Sequence, residues 1–362
     1  MLYYSLLPYT LRFKKPARTS RGAYTEKKVW YIFLSHSPLT SLDCSHLLKN
    51  PQLWGQNEVG VGEIAPLYDL SCDYGDHFEN TIMECLRQCF ESVDNETNIN
   101  FEVLRNYPSV LFGVETAWHS LHAHDGLSFF ASGFSQGLSF IPINGLVWMS
   151  SLEEMQQQAL TKIQLGFKCI KFKIGAMDWR EELDVIQHIR NLYSKDQLQI
   201  RVDANGSFTM SNVFQVLERL HQLDVHSIEQ PIKAGQWAEM HDICRNSPLP
   251  IGLDEELIGI NRLEVKQELM ACIRPQYIIL KPTLHGGYSG IDEWIELAKA
   301  QGAGYWLTSA LESNVGLNAI AQKAALLDGT EKWQGLGTGQ LFVENIEGLG
   351  LKLTGEELWF KP

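Results

Sequence analysis

From about residue 141 the chain repeats one unit: a short apolar run of β character, a polar or charged residue at its end, then a stretch with helical spacing. The runs fall at 141–144, 168–174, 199–203, 227–231, 251–254, 277–281 and 305–309. The helical stretches that follow fall at 152–165, 179–193, 212–222, 237–244, 261–270, 291–300 and 318–327. Strands alternating with helices in this way must run parallel, and this many units predict a closed (β/α) barrel. An open doubly wound sheet is the alternative. It would carry a glycine-rich phosphate turn after its first strand, and no GxGxxG stands there.

The first third reads differently. Strands are expected at 3–13, 28–35 and 58–64, and helices at 78–93 and 110–121, which makes an α+β segment. Between the first two strands, residues 15–28 (KPARTSRGAYTEKK) are polar and basic, and are expected to form a long hairpin loop able to close over a site. A net charge of −13 argues against a nucleic-acid footprint and against a polybasic membrane surface. No apolar run approaches the ~20 residues needed to cross a bilayer. The apolar start is broken by Pro8 and Arg12, so no signal peptide is expected. Seven cysteines without CxxC spacing predict no disulfide framework and fit a reducing cytoplasm. Cys85 and Cys89, one helical turn apart, are expected to be small buried residues, and the histidines of WHSLHAH (118–124) lack an acidic partner for a metal.

The ionisable residues at the strand ends carry the chemistry. They are Lys171 and Lys173, then Asp203, Glu229, Asp254 and Lys281, roughly 25 to 30 residues apart, about one βα unit each. In a barrel this places them on the C-terminal rim, where barrel enzymes put their active sites. Three carboxylates on consecutive strands repel one another unless protonated, paired with cations or bound to a metal. All-oxygen ligation favours a hard divalent ion. Lys171 and Lys173 are two apart, so both point to the same face; if that face is the barrel interior, like charge and a nearby metal would lower a lysine pKa towards that of a usable base.

The stretches KFK (171–173), VDAN (202–205), IEQP (228–231), LDE (253–255) and LKP (280–282) resemble the enolase superfamily, in its muconate-lactonizing-enzyme subgroup. GVETA (113–117) and TSRG (19–22) are similar to its capping domain and mobile loop. The resemblance implies a modified (β/α)7β TIM-type barrel at 131–340 with an α+β capping domain at 1–130, completed by 341–362. It further implies that Asp203, Glu229 and Asp254 bind Mg²⁺, with Mn²⁺ as the alternative ion. Lys173 would be the acid/base, Lys281 its cationic partner and Lys171 a modulator, with Asn205 and Glu255 as outer supports.

Within the subgroup, SRG followed by TEKK and the stretch SALESNVGL (309–317) look like the dehydratases that form o-succinylbenzoate in menaquinone biosynthesis. This implies a small dicarboxylate substrate whose second carboxylate is met by Arg21, Ser309, Ser313 or the backbone around Gly337. The oligomeric state is left open. N-acylamino acid racemases and dipeptide epimerases of the same fold are the alternatives, since two facing lysines also suit racemisation. The epimerases carry an Asp-x-Asp pair at the eighth strand, where this chain has Gly-Leu-Gly-Thr-Gly (335–339), a neutral stretch that is either a backbone cradle or a tight turn. A non-catalytic binding protein on a barrel scaffold would not need the full set of site residues.

Overall fold

The computed structural model describes residues 2–19, 22–90, 99–328 and 331–361. Strands β1 (Tyr3–Thr19) and β2 (Gly22–Ser35) form one long antiparallel hairpin, with β3 (Val59–Ile64) added to the far side of β2. In the segment 15–28, expected as a loop, the described residues 15–19 and 22–28 instead continue the strands of this hairpin. Its ladder runs on through Ala17–Tyr24 to Thr19–Gly22 after an irregularity between Arg12 and Ala17. The fully apolar run in β2 divides between two cores. Trp30, Ile32 and Leu34 pack with α2 (Phe78–Phe90) and α3 (Pro108–His122), while Val29, Tyr31 and Phe33 join the core shared with the barrel. A strand buried on both faces shows no polar alternation.

Strand β3 lies against α3 at glycine distance. A Cβ on Gly60 or Gly62 would sit 2.0 or 1.9 Å from the carbonyl oxygens of Ala117 and Gly113. A further helix, α1 (Ser41–Lys49), was not expected. Its capping box, Thr40 with Asp43, is legible in the sequence, but only three of its residues are buried, so the helical apolar period is weak.

After β4 (Phe140–Pro142), seven parallel strands follow in spatial sequence: β5 (Gly145–Val147), β6 (Cys169–Lys173), β7 (Gln199–Asp203), β8 (Ser227–Glu229), β9 (Ile251–Leu253), β10 (Tyr277–Leu280) and β11 (Gly304–Leu307). Their helices are α4 (Leu152–Gln164), α5 (Trp179–Leu192), α6 (Val213–Gln222), α7 (Trp237–Asn246), α8 (Leu263–Ile273), the single turn α9 (Pro282–His285), α10 (Gly287–Gln301) and α11 (Asn314–Ala324). The curled sheet is joined at its edges by residues 334–335, which bridge Ile143 on one side and Thr308 on the other. Gly335 N–H donates to Leu307 and Asn144 N–H to Gln334.

The first barrel strand is therefore 145–147 and not 141–144. Phe140–Pro142 is taken by the C-terminal hairpin, β12 (Leu351–Thr354) and β13 (Glu357–Phe360), with Ile141 opposite Leu358. Just before that hairpin, Phe342 bridges Phe13 of β1. All seven cysteines are free. No helix among the described residues is long and apolar enough to cross a membrane.

Candidate active site

Parallel register carries the strand-end residues to one level: Lys173 pairs with Asp203, and Asp203 with Glu229. Alternation along β6 points Lys171 and Lys173 to one face, while Ile170 and Phe172 enter the apolar core. Asp254 and Lys281 stand one residue past β9 and β10. One ligand atom from each of Asp203, Glu229 and Asp254 lies within 4.8 Å of the other two, and all three side chains are buried.

The lysines interleave with these carboxylates. Lys171 Nζ donates to Glu229 Oε2 at 2.6 Å and lies 3.0 Å from Asp203 Oδ2. Lys173 Nζ donates to Asp203 Oδ2 and to Asn205 Oδ1, both at 2.9 Å. Lys281 Nζ pairs with Asp254 Oδ2. Asn205 in turn donates to Glu255 Oε1 at 2.9 Å, so this outer pair fixes the amide that holds Lys173.

Two non-glycine residues beside the triad take positive φ: Asn205 at 45° and Gln230 at 41°. Each is held by its own contacts, as strained backbone at a site must be. Asn205 N–H donates to Asp203 Oδ1, and Gln230 Oε1 accepts from the N–H groups of Asp254 and Glu256. Gln230 thus locks the end of β8 to the end of β9. Sequence reasoning missed it, although it sits inside IEQP.

Charge coupling follows from this packing. Burial acts to raise Asp203, but the ammonium groups of Lys171, Lys173 and Lys281 outweigh it and hold the carboxyl far below its usual range. Asp254 is likewise lowered, with Lys281 overcoming burial. Glu229 goes the other way, raised by burial and by the neighbouring Asp203 charge. Burial acts to lower Lys171, yet the three carboxylates hold it above its ordinary value. Lys281 is raised for the same reason, chiefly by Asp254. Glu229 Oε1 and Asp254 Oδ1 are buried and have no hydrogen-bond partner. Buried carboxylate oxygens without a partner, on residues whose ligand atoms cluster, fit a divalent cation, which would supply the missing partner.

A model described as enolase C-terminal domain-like matches residues 154–341, more than half of the chain. An o-succinylbenzoate synthase from Desulfotalea psychrophila is 42% identical over 93% of each chain. The chain belongs to the enolase superfamily. The crystal structure of MenC from the same organism is 36% identical, covers 99% of each chain and superposes with a TM-score of 0.78. A substrate-liganded L-Ala-D/L-Glu epimerase from Bacillus subtilis, at 19% identity, covers 99% of this chain and 96% of its own, with a TM-score of 0.81. Proteins named for different activities thus share this fold closely, and the fold alone does not separate their reactions.

In this superfamily member the cavity over the strand ends is lined on one side by Lys171, Lys173, Asp203, Asn205 and Lys281. On the other it is lined by Asn144, Trp306, Ser309, Gly337 and Thr338. Tyr24, Leu67 and Leu70 reach it from the N-terminal third, with the Tyr24 hydroxyl donating to Asp69. Lys27 fastens the hairpin to the rim, its buried ammonium donating to Ala310 O at 2.6 Å.

Ser309 and Gly337 line the cavity, whereas Ser313 is not among its lining residues. It caps α11, and its N–H and Oγ both donate to Glu63, at 2.8 and 2.6 Å. Arg21 lies outside the described residues. Asn144, Thr338, Trp306 and Tyr24 also line the cavity and were not singled out, since uncharged side chains outside the recognised motifs give no charge signal and Tyr24 falls in the segment expected as a loop. His119 packs edge-on against Phe130 and Tyr288 and is lowered to about 4 by burial, in keeping with a packing role. Among the described residues, the triad is the one group of three acidic, His or Cys side chains close enough to hold a metal.

Proposed function

We propose that this chain is a cytoplasmic, Mg²⁺-dependent dehydratase of menaquinone biosynthesis. It converts 2-succinyl-6-hydroxy-2,4-cyclohexadiene-1-carboxylate to o-succinylbenzoate. The observation that carries this reading is a lysine–carboxylate array facing a cavity wall, from β5, β11 and 335–338, that bears no ionisable side chain. Such a wall offers no anion to an amine-bearing substrate. The 42% identity to an o-succinylbenzoate synthase along nearly all of both chains supports it.

Asp203, Glu229 and Asp254 would hold Mg²⁺. When bound, the ion supplies electrostatic stabilisation of the negative charge that builds on the substrate carboxylate as the α-proton leaves. Lys173 Nζ, fixed between Asp203 and Asn205, takes that proton as the neutral amine, whose lone pair forms the new N–H bond. The C–H electron pair forms the ring double bond as the C–O bond breaks. Lys173 then returns the proton to the departing hydroxyl, and water leaves from the same face. Lys281, on the other side of the triad, holds charge during this step and faces the aromatic product as a cation. Lys171 stays paired with Glu229 and Asp203 and keeps both carboxylates in place. Tyr24, Leu67 and Leu70 cover the cavity and limit water. Arg21 would close over the substrate from the hairpin tip. We assign residues 1–130 with 341–362 to the cap, and 131–340 to the catalytic barrel.

Lysines on both sides of the triad also suit two-base racemisation of N-acylamino acids. The test runs both reactions on one preparation with Mg²⁺: loss of the cyclohexadiene absorbance, and loss of optical rotation of N-succinylamino acids. Efficient dehydration is expected. Efficient racemisation with negligible dehydration would overturn the assignment.

A further inference from the structure

Next to Lys281 lies a buried histidine that the dehydration leaves unused. His285 ends the single turn α9 and is 1% exposed. Its Nδ1 accepts the Lys281 N–H at 3.0 Å. A ring nitrogen that accepts carries no proton, so the imidazole is neutral and its proton sits on Nε2. Burial, which pushes the ring down to about 3, keeps it neutral. Nε2 is buried and has no hydrogen-bond partner among the described residues. An unmet buried donor is costly, and an apolar ring would fill the same space without that cost. The gain that offsets it lies at Nδ1.

The need for an acceptor there follows from the sheet. Strand β10 ends at Leu280, opposite Leu307 of β11, and its pairing with β9 stops earlier, at Ile278. The Lys281 N–H therefore lies beyond both ladders. Pro282 then starts α9, with Lys281 as its N-cap, and a lysine side chain has no acceptor to offer. The Lys281 carbonyl accepts from the N–H groups of Leu284 and His285, at 2.8 and 2.9 Å. This curls α9 back on its own N-cap and carries the imidazole to the Lys281 N–H, as the acidic arm of a capping box would be carried. The turn is held from behind by α10, since a Cβ on Gly290 would sit 2.3 Å from the His285 carbonyl oxygen. Gly286 and Gly287, at φ 96° and 64°, make the sharp link between the two helices. Both backbone groups of Lys281 are thus tied to one turn, while its ammonium pairs with Asp254 and lines the cavity.

We propose that His285 is a positioning residue for Lys281: its Nδ1 takes the N–H that the sheet leaves over, and so fixes where the Lys281 ammonium stands between Asp254 and the cavity. This rests on the charge-holding role given to Lys281 in the dehydration. His285 neither lines the cavity nor belongs to the metal triad, so it acts through Lys281. The strand end is the pivot of a long side chain. A shift of about 1 Å at a reacting group can cost on the order of a hundredfold in rate, which makes the position of that pivot matter.

The test measures cyclohexadiene turnover by the Mg²⁺-saturated enzyme in three variants. His285→Phe keeps a ring and removes the acceptor. His285→Asn puts an amide oxygen at the position of Nδ1, and His285→Gln puts it one bond further out. The Phe and Gln variants should lose about tenfold or more in kcat, with KM and Mg²⁺ affinity within about threefold of wild type. The Asn variant should restore kcat to within about fivefold of wild type. An Asn variant as slow as Phe, or a Phe variant with wild-type kcat and only a lower melting temperature, would overturn the proposal and leave the dehydratase reading standing. If His285→Phe does not fold, the two amides decide alone, and equal kcat in Asn and Gln would overturn it. A wild type that racemises N-succinylamino acids and does not dehydrate would remove the dehydratase reading. The same series is then read on racemisation, where Lys281 is the second base and the same ranking is expected.

Discussion

Lys171 and Lys173 share one face of one strand, yet their partners differ. Lys171 is spent on Glu229 and Asp203, two of the three carboxylates a metal would use, whereas Lys173 is held by one carboxylate and one neutral amide. Ammonium groups and a divalent cation compete for the same oxygens, so each carboxylate matters to the ion. Asp203→Asn, Glu229→Gln and Asp254→Asn should each weaken Mg²⁺ binding by at least about tenfold, measured by calorimetry on folded protein. Binding at wild-type affinity in any of the three would remove that residue from the site. These charged residues were legible in the sequence because a carboxylate or lysine closing an apolar run is costly to bury without a purpose. Asn144, Thr338 and Gln230 were not legible. Neutral polar residues end many strands, and what marks these three is a contact or a missing partner in space.

At the scale of elements, the barrel is joined to the N-terminal third by carboxylates seated on helix starts. Glu63 of β3 accepts from Ser313 and Gly316 at the start of α11. Glu115 of α3 accepts from the N–H groups of Tyr288 and Ser289 in α10. Burial raises Glu115 to about 7 from 4.5, with those hydrogen bonds opposing. The folded pKa lies above the unfolded one, so the proton is held more tightly in the native state. The stabilisation it gives is complete below about 4.5 and lost as pH rises through about 7. Its size is on the order of 3 kcal/mol. Denaturant unfolding should therefore show stability falling between about pH 5 and 8, and Glu115→Gln should flatten that slope. An unchanged slope would exclude Glu115 as its source. The contact between β3 and α3 gives a second prediction. Gly62→Ala would drive a methyl group to 1.9 Å from the Gly113 carbonyl, so it should destabilise by roughly 3 kcal/mol or more, seen as a lower melting temperature. The βα repeat behind most elements was legible because it recurs at constant spacing. The swap of 141–144 for 145–147 was not, because its cause is a hairpin more than 200 residues further along the chain.

For the whole molecule, closing the barrel gathers like charges that only cations can neutralise, so metal binding and stability are linked. Mg²⁺ at a hundred times its dissociation constant should add about 2.7 kcal/mol. That should raise the melting temperature by a few degrees, and chelation should reverse it; no shift on adding metal would contradict the triad as its site. The overall architecture was legible down to its capping region, while the length of the hairpin arm was not, because the polar composition of 15–28 suits an exposed ladder as well as a loop. The central claim is that Lys173, beside a metal held by three strand-end carboxylates, moves the proton in dehydration. Its most direct test compares wild type with Lys173→Ala, both saturated with Mg²⁺ and both shown by calorimetry to bind it. The account predicts retained metal binding and a loss of cyclohexadiene turnover of about a thousandfold or more. Turnover by Lys173→Ala within about tenfold of wild type would contradict it, because general acid–base catalysis by that lysine would then be worth too little to carry the reaction.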